Sequence, residues 1–135
     1  ANMGAAMAPA AYDTIFNHLK DMNRTPDYYD MIITGDLGKY GLDLLKHFAE
    51  EDGLQTNDIF DDCGARIYAK NQNCVQGGSG AGCSAIVYSA YLHKELLAKK
   101  IRKILLVPTG ALLSRLSTMQ GESIPAIAHA IDIEI

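Results

Sequence analysis

The chain has 135 residues, 48% hydrophobic and 21% charged, with a formal net charge of -4. This size fits one domain with a real core, and the balance is that of a soluble globular protein. The absence of a Lys/Arg footprint excludes a nucleic-acid partner, no apolar stretch reaches the roughly 18 residues of a membrane span, and no signal peptide is evident.

Residues 12–22 read as a helix, with Ile15, Phe16, Leu19 and Met22 at helical spacing and Met7 and Ala11 extending the stripe backward. Pro26 and Asp27 break it. Residues 29–33 form a short strand, closed by Thr34-Gly35-Asp36-Leu37-Gly38. A second helix is expected over 42–51, with Leu44, Leu45 and Phe48 on its inner face and Gly53 as its C-cap. Residues 58–64 read as an acidic loop and 66–69 as an extended piece. Val75 leads into a glycine-rich turn, Gly77-Gly78-Ser79-Gly80-Ala81-Gly82-Cys83-Ser84, and the longest helix follows over 84–100 with Val87, Tyr91, Leu92, Glu95 and Leu96 in register. Lys103 to Val107 is a nearly continuous apolar run, as in a buried strand. Residues 108–125 read as a loop. Residues 127–135 read as one final strand, with Ile127, His129, Ile131, Ile133 and Ile135 on one parity. Strands alternate with helices, so the fold class is α/β, in a single domain over 1–135. The chain begins at Ala1, which suggests a piece of something longer.

The glycine turn between an extended run and a helix aims backbone N–H groups and a helix N-terminus at one point, which suits an anion. Close packing of helix on strand is the alternative. It matches neither a dinucleotide fingerprint nor a P-loop, whose lysine is missing. Asp36 reads as a cap or turn residue, with a general base or a metal ligand as alternatives. Asp58, Asp61 and Asp62 lack the spacing of a calcium loop and read as solvated. His18, His47 and His93 lie on helices beside charged residues, and His129 reads as a core histidine, with a catalytic role as the alternative. Cys63, Cys74 and Cys83 have no metal-ligand spacing and read as reduced thiols, with Cys83 near a helix N-terminus. Residues 99–103, Lys-Lys-Ile-Arg-Lys, suit a solvated helix end, a membrane surface being the alternative. No metal site and no cofactor emerge.

Several strings carry a resemblance: Met3-Gly4-Ala5-Ala6-Met7-Ala8-Pro9-Ala10-Ala11, Thr34-Gly35-Asp36-Leu37-Gly38, the glycine turn, Pro108-Thr109-Gly110-Ala111-Leu112-Leu113-Ser114 and Gly121-Glu122-Ser123-Ile124-Pro125-Ala126-Ile127-Ala128-His129-Ala130. They are similar to the C-terminal half of the stage V sporulation protein AD family of spore-forming bacteria. That family resembles thiolases and ketoacyl synthases. The resemblance implies the C-terminal βαβαβαββ unit of a thiolase-like fold, a five-stranded mixed sheet with helices on its faces, within a longer two-unit protein.

Against thiolases, Ser79 stands where the turn carries His or Asn, and Thr34-Gly35-Asp36-Leu37 stands for Asn-Glu-Ala-Phe. Pro108-Thr109-Gly110 stands for the Cys-x-Gly of the second reactive cysteine. Claisen chemistry needs a base and oxyanion donors. Serine is a poor base at neutral pH, and proline has neither thiol nor N–H. The nucleophile half is absent, so the resemblance implies no catalytic residues and no enzyme. It implies instead binding of dipicolinic acid for uptake into the developing spore, with Gly78, Ser79, Gly80, Thr109 and Gly110 as candidate ligand contacts. A surviving acyltransferase acting on a coenzyme A thioester and a scaffold subunit of the uptake complex are the alternatives. Expected partners are the N-terminal half of the same protein, the other stage V sporulation A-operon proteins at the spore inner membrane, and a second copy in a homodimer. The expected location is the developing spore, soluble or peripheral to its inner membrane.

Overall fold

The computed structural model describes residues 3–56, 58–65, 92, 94–95, 98, 100–111, 126–128 and 130–134. The chain opens with helix α1 (Met3–Asp21), a 3-10 turn at Pro26–Tyr28, strand β1 (Met31–Thr34) and helix α2 (Gly38–Glu51). Strands β2 (Phe60–Asp62), β3 (Lys103–Val107), β4 (Thr109–Ala111), β5 (Ala126–Ala128) and β6 (Ile131–Glu134) follow. The main sheet has the order β2-β1-β3-β6, with β1 parallel to β2 and β3, and β6 antiparallel to β3. The fold is the expected mixed α/β class. Its main sheet holds four strands among the described residues rather than five, with β4 and β5 as a separate antiparallel pair.

Every residue of β1 is buried. Alternate side chains point to opposite faces, so one strand feeds two cores. Ile32 joins Phe60, Leu105 and Val107 beneath α1 and α2. Met31 and Ile33 join Ile104, Cys63, Ile101 and Leu92 on the other face. The chain passes from β1 to β2 through α2, which packs on the face of Ile32.

α1 starts earlier than the periodicity predicts, at Met3, and runs through Pro9 on its exposed side. Its buried stripe is Met7, Ala11, Ile15 and Leu19, spaced by four, while Phe16 and Met22 are exposed. Phe16 stacks instead on Tyr12, with ring centroids 6.0 Å apart. In α2 the inner face is Leu42, Leu45 and Ala49, with Leu44 and Phe48 only half-buried. Both helices close with the same paired bonds. Arg24 and Asn23 donate to the carbonyls of Leu19 and Lys20, and Leu54 and Gly53 donate to those of Ala49 and Glu50. Gly53 is therefore the expected cap.

Three expectations fail. The acidic loop over 58–64 contains β2, and the loop over 108–125 opens with β4. The final strand is broken into β5 and β6, and Ile131 is exposed although its parity was expected to be buried. Yet the two ladders share one register. Leu106 faces Ile131, and three residues on, Thr109 faces Ala128. The break falls at Pro108, which has no N–H for the ladder. Residues 66–69, the glycine turn, Cys74, Cys83, His93, the side chain of His129 and most of the helix over 84–100 lie outside the described residues. Among the described residues, no helix is long and apolar enough to cross a membrane.

A polar network ties α1 to the edge strand. Arg24 lies 2.6 Å from Asp132 and 3.7 Å from Glu134, with its guanidinium 4.0 Å over the Tyr28 ring. The Tyr29 hydroxyl meets His18 Nε2 and Arg24, each at 2.8 Å. Burial would raise the Asp132 carboxyl, but hydrogen bonds with Arg24, Glu134 and Tyr29 outweigh it and hold the group below the usual carboxylate range.

Two outcomes follow. A Cβ at Gly41 would lie 2.8 Å from the Gly4 carbonyl oxygen and 2.9 Å from Leu37 Cβ. Backbone cannot yield as a flexible side chain would, so Gly41→Ala should cost about 1–3 kcal/mol in urea denaturation. A depressed carboxylate stabilises the fold above its unfolded pKa and loses that contribution as pH falls through the folded one. Arg24→Gln should therefore lower stability at pH 7, and the gap to wild type should close below about pH 4.

Candidate functional site

Because β1, β2 and β3 are parallel, their carboxyl ends lie along one edge of the sheet. Open α/β sheets take ligands at that edge, where neighbouring strands send the chain in opposite directions. Here those strands are β1, which leads to β2, and β3, which leads towards β6. The Gly35 N–H donates to the Val107 carbonyl at 3.1 Å and joins the two ends. The turn Thr34-Gly35-Asp36-Leu37-Gly38 thus lies beside Pro108-Thr109-Gly110.

Asp62, at the end of β2, organises the β1 side. It is fully buried. Its Oδ1 accepts from the Thr34 hydroxyl at 2.6 Å and the Leu37 N–H at 2.9 Å. Its Oδ2 accepts from the N–H groups of Gly38 and Ala65, each at 2.9 Å. A second link joins the same turns, Gly64 N–H to the Gly35 carbonyl at 3.1 Å. Leu37 and Gly38 open α2, so the carboxylate also meets the positive end of a helix. Gly38 enters that helix at φ 73°, which a side chain would strain. Burial pushes the Asp62 carboxyl up, against the opposing pull of Thr34, Ala65, Leu37 and Gly38.

Of the ligand contacts expected from sequence, Thr109 and Gly110 lie at this edge. They open β4 and pair with Ala128 and Ile127. Gly78, Ser79 and Gly80 lie outside the described residues. Asp36 is buried within the turn, but the carboxylate that receives the Leu37 and Gly38 donors is that of Asp62. The solvated reading of the acidic cluster holds for Asp58, which is exposed, and fails for Asp62. Among the described residues no three His, Cys, Asp or Glu could hold a metal ion. His47 is exposed, with Glu51 at 2.7 Å, as a surface helix pair. Cys63 is buried at the end of β2 in the core facing Leu92.

Asn at position 62 would keep the shape but turn an amide N–H2 toward two inward-pointing N–H groups. Asp62→Asn should cost about 2–5 kcal/mol through two buried donors left without an acceptor. Asp58→Asn, on the surface, should stay within about 0.5 kcal/mol. Urea denaturation of both variants separates the two.

The model of the stage V sporulation protein AD family matches residues 1–134. The protein named stage V sporulation protein AD from Bacillus subtilis (strain 168) is 47% identical over 133 residues. That match covers 98% of this chain and 39% of the relative, so the chain spans about two-fifths of the relative's length. With the matched strings Thr34-Gly35-Asp36-Leu37-Gly38 and Pro108-Thr109-Gly110 side by side at one sheet edge, the chain belongs to the stage V sporulation protein AD family.

Proposed function

We propose that this chain is the C-terminal unit of a non-catalytic, thiolase-like sporulation protein that binds dipicolinic acid for uptake into the developing spore. Family membership supports the sporulation role. The observation that carries the finer reading is the pairing of two motif positions at the β1–β3 edge. Where thiolases need a thiol, the end of β3 continues into Pro108; where they carry Asn-Glu, the end of β1 carries Thr34-Gly35. Neither position supplies a thiol or an imidazole. A planar dianion needs fixed donors instead. In this reading Thr109 and Gly110 line one wall, and Gly78, Ser79 and Gly80 supply donors from the glycine turn.

Titration calorimetry of the full-length protein with dipicolinate should give saturable heat that related dicarboxylates compete away. Thr109→Val should weaken binding about tenfold, the loss of one charge-assisted hydrogen bond. Absence of heat overturns the reading. Incubation with acyl-CoA should leave the intact mass unchanged, and an acyl adduct would instead favour an acyltransferase.

The same proposal includes the protein's N-terminal half, a second copy of the chain and other proteins of the spore inner membrane as partners. Light scattering at high concentration should give a mass above that of the monomer, and a strictly monomeric mass would remove the homodimer.

A further inference from the structure

We propose that Asp62 is the positioning residue of this ligand edge: its carboxylate occupies from within the anion site that the start of α2 would offer, and so fixes the β1 turn against the end of β3. The inference rests on the dipicolinate reading for its ligand and on the structure for its geometry.

The donors converge as they would on a bound carboxylate. Thr34, Leu37, Gly38 and Ala65 all reach the Asp62 oxygens within 2.6–2.9 Å, and the group is sealed from water. These donors come from two turns, one after β1 and one after β2, so a single side chain sets their spacing. A helix N-terminus attracts anions through its N–H groups and dipole. At α2 the Leu37 and Gly38 donors are already spent on Asp62. A second anion there would meet a buried negative charge instead.

On the β3 side Gly35 is bonded to Val107, and the chain passes through Pro108 to Thr109 and Gly110. Because Gly35 is held by Val107 on one side and by Gly64 on the other, a shift of the Asp62 cage reaches the Thr109 wall through the backbone. Asp62 touches no ligand in this arrangement. It fixes the turn against which the ligand rests.

The test uses the full-length protein at a temperature where circular dichroism shows each variant folded. Asp62→Ala should lower Tm and weaken dipicolinate binding by at least about tenfold. Formate fits the vacated cage and should restore both Tm and affinity, whereas chloride at equal ionic strength should restore neither. A purely structural role would lower Tm and leave the affinity of the folded variant unchanged. Thr34→Val removes one donor and spares the rest, and should weaken binding by about two- to fivefold. Should Asp62→Ala fail to fold, Thr34→Val decides alone. Wild-type affinity in a folded variant of either kind overturns the positioning role. Should wild type itself bind no dipicolinate, the proposed function falls and formate judges the cage: a formate-specific rise in the Tm of Asp62→Ala supports it, and no rise overturns it.

Discussion

Strand β1 is buried on both faces and hydrogen-bonded along both edges, and the remainder of the fold is arranged to allow this. A strand with no face toward water needs a helical layer above and below it. α1 and α2 cover Ile32, and the segment holding Leu92 and Ile101 covers Met31 and Ile33. β2 and β3 then pair in parallel along its two edges. The carboxyl ends of three strands come together on one edge as a consequence.

That edge carries a cost, because three strand ends and a helix start leave polar groups in a place with little water. Asp62 answers four of them at once. A buried carboxylate is expensive unless its lone pairs are met. Here each party satisfies the other, so an acidic residue can end a strand in the core. The opposite end of the sheet uses a different solution. Arg24, Tyr28, Tyr29, Asp132 and Glu134 form a partly exposed network that pins the edge strand to the end of α1.

The two ends also differ in what they offer a ligand. The network around Arg24 pairs its cation with carboxylates, and its aromatic ring Tyr28 already carries Arg24 and Lys103 on it. The carboxyl edge instead brings together Thr34-Gly35-Asp36-Leu37-Gly38 and Pro108-Thr109-Gly110.

Sequence alone determined the elements whose signal is local. The four-residue spacing of α1, the apolar run of β3 and the cap at Gly53 each arise within a few residues of chain, so they are legible without the fold. The matched strings likewise disclosed the family. Only the tertiary structure decided the rest. β2 and β4 have three residues each, too few to show a period, and exist because β1 and β5 pair with them. The apolar parity of the last strand could not reveal that β6 lies at the sheet edge, where Ile131 faces outward. Asp62 read as a solvated acid because its charge is local. Its burial is not local: the Thr34, Leu37 and Gly38 donors lie 24 to 28 residues away and meet it only when β1 and β2 align.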